Sequence, residues 1–307
     1  MSMGRKTYYL NLVVWLSCSS LVGCGRGHPV PSELNLESGY LDIDGKVFPG
    51  VYGLAVDPPA DQLALGKVRS SCTATAISPT VLVTAAHCLK RSDRAFIYYL
   101  LDFNLIPLRD ADGVFLVGEA VAHPLSQFVS GQSWRQSYDL AFIRFQTPSF
   151  TTFYSFMSRD PVPGSDVQLV GYGMKRGSQD AGRQYGANKL VSLLREGSID
   201  PLGHPVRPAY FSLYVVTLDR VLNTDPQHPV NSGTVPGDSG GPLFTGNQIA
   251  GILYGGAYWN QLRDEENEED RGRFDDSVYV NPRALFHQEF IKDLRQENWD
   301  IPPDLFL

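Results

Sequence analysis

Short apolar runs alternate with turn clusters along most of this chain. The runs fall at residues 51–56, 74–77, 81–84, 95–101, 113–121, 140–145, 167–172, 210–216, 248–254 and 277–280. Between the second and third runs stands Ser78-Pro79, a turn pair. Strand-length runs bounded by turn residues, with few helical patterns, predict an all-β sandwich or barrel. One helix stands out, near the C-terminus. Asn281 suits an N-cap and Pro282 the first helical position. Phe286, Phe290 and Leu294 then recur every fourth residue with Ile291 beside them, so one face would pack on a β-surface. No internal repeat is visible.

The N-terminus follows a different pattern. Arg5 and Lys6 precede a mostly apolar stretch over residues 8–21, and Leu21-Val22-Gly23-Cys24 follows. A positive start, a short apolar run and small residues describe a secretory signal. The run is too short and interrupted to span a bilayer well. Its ending resembles the bacterial lipobox. That resemblance implies cleavage before Cys24 and a lipid on its sulfur; an ordinary signal peptide with an incidental cysteine is the alternative. Gly25 stands where inner-membrane lipoproteins often keep an Asp, which favours the outer membrane. The chain is thus expected to be exported to the periplasm or cell surface, with residues 1–23 as signal peptide. Residues 24–46, beginning Gly-, Pro- and Ser-containing, read as a tether or pro-segment.

Composition agrees with a folded, exported domain. The chain has 307 residues, 43% apolar and 19% charged, too apolar to remain disordered. Its net charge of −7 becomes −9 once Arg5 and Lys6 leave, which argues against a nucleic-acid partner. Of four cysteines, Cys18 leaves with the signal and Cys24 would carry the lipid. Cys72 and Cys88 remain, a close pair that reads as a disulfide in an oxidising compartment.

Three segments carry chemistry: Leu82 through Cys88, containing His87; Tyr138 through Ile143, containing Asp139; and Gly237 through Leu243, containing Ser239. Nucleophilic acyl transfer needs a hydroxyl, a base in reach and a carboxylate to orient the base. Serine does not ionise near neutral pH, whereas a histidine can accept its proton and later return it. Glycine at 237 frees a backbone N–H which, with that of Ser239, can face a developing oxyanion. This chemistry asks for no metal and no cofactor.

At these residues the chain resembles the chymotrypsin/trypsin-like serine peptidases. Thr-Ala-Ala-His-Cys, Asp-Leu-Ala and Gly-Asp-Ser-Gly-Gly-Pro-Leu match its motifs in its order; Gly171-Tyr172-Gly173 resembles its Gly-Trp-Gly strand end, and Gly251-Ile252 followed by Tyr254-Gly255-Gly256 resembles its substrate-binding strand. The resemblance covers residues 47–298 and implies two six-stranded antiparallel β-barrels with the active site between them, plus the C-terminal helix, in a domain spanning residues 47–307. It implies His87 as base, Asp139 as its orienter, Ser239 as nucleophile and Gly237 with Ser239 as the oxyanion hole. Cys72 and Cys88 sit where the family places its histidine-loop disulfide. Gly233, Tyr254, Gly255, Gly256 and Ser277 fall at the substrate pocket. The implied activity is endopeptidase cleavage of protein or peptide substrates by a monomer through an acyl-enzyme. A non-catalytic binding protein on the same fold is the alternative.

Several positions depart from the family pattern. Gly233 stands where trypsin-like members keep an acid, so strict cleavage after Arg or Lys is not expected. Tyr254 and Gly255 replace the usual Ser-Trp, and Asp275 and Asp276 offer either a side charge or a solvated turn. No Ile-Val-Gly-Gly activation sequence exists. Either Lys46-Val47 is a degenerate activation bond, or Phe48-Pro49 matches the family's Phe-Pro and Asp238 finds another partner, an arginine for instance. Residues 264–270 carry six acids in seven positions, fitting a cation site, attraction of basic substrates, or a solvated loop.

Overall fold

A computed structural model describes residues 40–66, 68–89, 98–116, 118–126, 138–147, 149–173, 182–194, 213–219, 233–256 and 274–306. In its first half, β2 (Val51–Val56), β3 (Cys72–Ala76), β4 (Val81–Thr84), β5 (Tyr98–Leu101), β6 (Glu119–Ala122) and β7 (Ala141–Arg144) form one antiparallel sheet, ordered β5-β2-β3-β4-β7-β6. A short helix, α1 (Ala60–Ala64), follows β2. The second half contributes β8 (Asp166–Gly171), β9 (Gln184–Leu194), β10 (Leu213–Asp219), β11 (Pro242–Thr245), β12 (Gln248–Gly256) and β13 (Phe274–Val280). These run in the order β9-β10-β13-β12-β11-β8, and β8 pairs back onto β9, closing a six-stranded antiparallel barrel. β1 (Tyr40–Leu41) extends it along β9. This is the all-β architecture anticipated from the alternating pattern, and its two sheets fit the trypsin-like fold that the resemblance implied.

The apolar faces of both sheets meet in one core. Val51, Phe142, Tyr172, Phe244 and Ile252 are buried in a single cluster, and Phe48 stacks on Phe244 with ring centroids 5.1 Å apart. Tyr172 crosses between the sheets and donates its hydroxyl to the Val51 carbonyl (3.0 Å). The terminal helix α2 (Leu285–Gln296) adds Phe290, Ile291 and Leu294 to this core. It starts later than the Asn281-Pro282 pair predicts. The Asn281 side chain instead accepts the Arg283 N–H (2.9 Å), closing a turn ahead of the helix. Among the described residues no helix is long and apolar enough to cross a membrane.

The sequence pattern does not show β9, whose first half carries the buried polar Gln184 and Asn188. The cause lies in a neighbouring ion pair. Arg183 is buried, pairs with Asp42 (2.8 Å), and donates to the Val51 and Gly45 carbonyls (2.8 and 2.6 Å). Such a charge is tolerable inside only when paired and hydrogen-bonded. Asp42 also accepts the Lys46 and Val47 N–H groups, so the turn ahead of Phe48 is built on one carboxylate.

Candidate active site

Strand register brings His87 and Asp139 together. Thr84, the last residue of β4, pairs with Ala141, the first of β7. The segment leaving β4 and the segment entering β7 therefore run side by side. A single 3-10 turn, Ala86–Cys88, then carries His87, closed by the Cys88 N–H on the Ala85 carbonyl (3.1 Å). Asp139 is 1% exposed and uses both oxygens on His87. Oδ1 accepts the backbone N–H (2.7 Å), and Oδ2 accepts the ring proton on Nδ1 (2.6 Å). This pairing fixes the tautomer and leaves Nε2 as the acceptor. Burial alone would push the His87 pKa down, but the Asp139 charge and hydrogen bond outweigh it and the net shift is upward.

The Asp139 loop is braced from behind. His123 donates its N–H to the Leu140 carbonyl (2.8 Å), and its ring packs on Tyr138, Phe290 and His287. His123 and His287 are thus buried parts of an aromatic cluster under the loop. His204 and His228 lie outside the described residues.

Cys72 and Cys88 form a disulfide that ties the start of β3 to the His87 turn. The sulfurs and the nearest imidazole nitrogen lie within 4.8 Å of one another. Both sulfurs are bonded to each other, so this trio offers no thiolate to a metal.

Ser239 sits on the tight turn between residues 235 and 241. Gly237 has φ +104°, a region reserved for glycine, and a Cβ there would lie 2.9 Å from Gly173 Cα. Gly240, at φ +82°, packs so closely on Thr84 and the Thr73 carbonyl that any Cβ would overlap both. The turn is therefore pressed against the strand that leads to His87. Cys88 Sγ also lies 3.6 Å from the Ser239 carbonyl oxygen. One buried residue, Thr73, stitches the arrangement. Its N–H donates to the Ser239 carbonyl (2.7 Å), its hydroxyl donates to the Gly237 carbonyl (3.2 Å), and that hydroxyl accepts the Tyr172 N–H (3.1 Å). The sequence gives no sign of this role, because a threonine in a strand is ordinary and its partners are at least 99 residues away.

Asp238 is fully buried, and its carboxylate accepts the Gly173 N–H (2.7 Å) and the Val235 N–H (2.8 Å). No arginine answers it among the described residues, contrary to the sequence-based expectation; Arg183 is already engaged by Asp42. Burial without a cation pushes its pKa up to about 6, with the two N–H groups pulling the other way.

The expected pocket residues gather around β12 and β13. Gly255 and Gly256 pair with Val278 and Ser277. The Ser277 hydroxyl is buried and accepts the Thr234 N–H (3.2 Å), holding the segment next to Gly233. A Cβ at Gly255 would meet nothing within 4 Å, so this stretch borders open space. Tyr254 falls at an irregularity in the β12–β13 register, and its ring meets the His87 ring edge-on (5.8 Å). Asp275 and Asp276 belong to β13, opposite Leu218 and Thr217 of β10. The acidic segment 264–270 lies outside the described residues, as does Cys24.

An uncharacterized peptidase of Corynebacterium glutamicum strain R is 27% identical over 188 residues, covering 60% of this chain and 53% of that protein. A protein named as a peptidase in a second strain of the species is 26% identical over 188 residues, with the same coverage. The chain spans about half the length of the curated relatives it matches. The family model for trypsin matches residues 60–267, more than half of the sequence and the strands from β3 to β12. The chain belongs to the trypsin family.

Proposed function

We propose that the protein is a serine endopeptidase acting on protein or peptide substrates. The carrying observation is the buried Asp139 carboxylate, which grips His87 at two points beside the Gly237–Ser239 turn. In this reading Ser239 Oγ attacks the scissile carbonyl carbon while His87 Nε2 takes its proton. The oxyanion that forms is met by the N–H groups of Gly237 and Ser239; one such donor is worth about 2.7–4 kcal/mol in the transition state. His87 passes the proton to the departing amine, and water repeats the sequence on the acyl-enzyme. The Asp139 carboxylate stabilises the imidazolium that forms.

The reading includes export. Residues 1–23 would serve as signal peptide and Cys24 as the site of a lipid anchor, with residues 24–46 linking it to a monomeric catalytic domain over residues 47–307.

The test is covalent labelling with a fluorophosphonate. Wild type should take up one probe per chain and Ser239→Ala none. A folded wild type that stays unlabelled would favour the binding-protein alternative.

A further inference from the structure

A cavity of about 400 Å³ opens directly beside Gly237, and the mechanism above leaves it unused. That volume falls within the roughly 300–1,000 Å³ of ligand pockets. Its walls include Pro58, Pro59 and Gln62 at the start of α1, together with Arg69 and Ser71 ahead of β3. Because Gly237 is both part of the cavity wall and the expected oxyanion donor, the cavity adjoins the place where the bond under attack would lie.

The location says which part of the substrate the cavity would receive. β12 flanks Ser239 on one side, where the Gly240 N–H donates to the Leu253 carbonyl (2.8 Å) and the expected acyl-side pocket lies. The cavity has none of β12 in its described lining; it is bounded by the end of β2, the residues ahead of β3, and Pro236 with Gly237. An extended chain advances about 3.3 Å per residue. A substrate lying along β12 and crossing Ser239 would therefore send its first two or three residues after the cleaved bond into this cavity.

Among the described residues Arg69 is the one charged residue lining the cavity. Its backbone is fixed on both sides. Val68 is buried and donates to the Leu105 carbonyl (3.2 Å), Ser70 is buried and accepts the Leu54 N–H (3.2 Å), and the Arg69 N–H donates to Gln62 Oε1 (3.3 Å). The strand-like alternation leaves Arg69 itself exposed, and its guanidinium has no acidic partner among the described residues. Two consecutive prolines stiffen the opposite wall. A fixed backbone, a proline-lined wall and a guanidinium without an acidic partner among the described residues suit a carboxylate.

We propose that Arg69 selects substrates with an Asp or Glu side chain among the first three residues after the cleaved bond. The proposal rests on the peptidase reading and deepens it. The test is digestion of a proteome-derived peptide library by the full chain. Sequencing of the products then counts residues at each position after the cut. Wild type should enrich Asp and Glu about fivefold at one of those positions, as expected for a largely exposed ion pair. Arg69→Ala should flatten that enrichment and Arg69→Glu should turn it towards Lys and Arg. Raising salt to 1 M should shrink it in wild type. Each profile is a ratio within one protein, so it does not depend on absolute activity. Thermal unfolding checks that each variant is folded. Identical profiles for wild type and Arg69→Glu, or enrichment only of peptide C-termini, would overturn the proposal while fluorophosphonate labelling still upheld the nucleophile. Loss of labelling in wild type would overturn both.

Discussion

Asp238 makes the stability of this domain depend on pH in a direction opposite to an ordinary ion-paired carboxylate. It is fully buried, its two hydrogen-bond donors are neutral backbone groups, and its pKa rises from 3.8 to about 6. The folded protein thus keeps a proton that the unfolded chain gives up. Between about pH 4 and 6 the folded state binds more protons, so its stability falls as pH rises. The contribution is complete below pH 3.8 and gone once pH passes about 6. A gap of about two pH units at roughly 1.4 kcal/mol each is worth about 3 kcal/mol. An asparagine at 238 cannot titrate. It sets its own NH2 against one of the backbone donors, but that cost does not vary with pH.

The measurement is urea unfolding of wild type and Asp238→Asn at several values between pH 4 and 7, with the disulfide intact and tryptophan fluorescence as the probe. Carboxylates common to both proteins cancel in the difference. Wild type should lose about 3 kcal/mol relative to Asp238→Asn across that range. A difference that stays flat, or that grows in favour of wild type as pH rises, would refute the reasoning. The second outcome would mean that a cation reaches Asp238 after all.

Two further predictions concern the site and the N-terminus. Since the reaction needs neutral His87, kcat/KM should fall on acidification with a midpoint above 6.5 in wild type; Asp139→Asn should lower kcat by about 10⁴-fold and shift that midpoint downward, because burial then acts unopposed. If Cys24 carries a lipid, wild type expressed with its signal should sediment with membranes and extract into detergent, and Cys24→Ser should be soluble in the export compartment; equal fractionation of the two would refute the anchor.

The parts of the fold visible in the sequence are those whose partners lie in the same local pattern. β2, β4 and β12 are continuous apolar runs because both of their faces are buried, one in the cluster shared by the sheets and the other in a second cluster, so the pattern reports them. β9 escapes because its early residues serve polar contacts: Arg183, just before it, neutralises Asp42, and Gln184 donates to the Gly173 carbonyl (3.2 Å). Asn281-Pro282 reads as a helix start by local rules, yet its side chain closes a preceding turn instead.

The same distinction divides the site. Residues 82–88, 138–143 and 237–243 are legible because the chemistry demands particular residue types in unbroken stretches. What holds them in place is not local. Thr73 bonds the Ser239 and Gly237 carbonyls and the Tyr172 N–H across two sheets, and no window around residue 73 contains that information. Asp238 shows the converse error. A buried carboxylate suggests an arginine, and the chain has a buried arginine, but Asp42 already neutralises it. Which acid meets which base is decided by topology, through β1 and β9 for Asp42 and through the end of β8 for Asp238. Arg69 is the third case. It is an exposed residue on an alternating strand approach, indistinguishable in sequence from any solvated arginine, until folding sets it in the wall of a cavity that also contains Gly237. Catalytic residue types can be read from the chain, whereas substrate preference depends on which surfaces the two sheets bring beside Ser239.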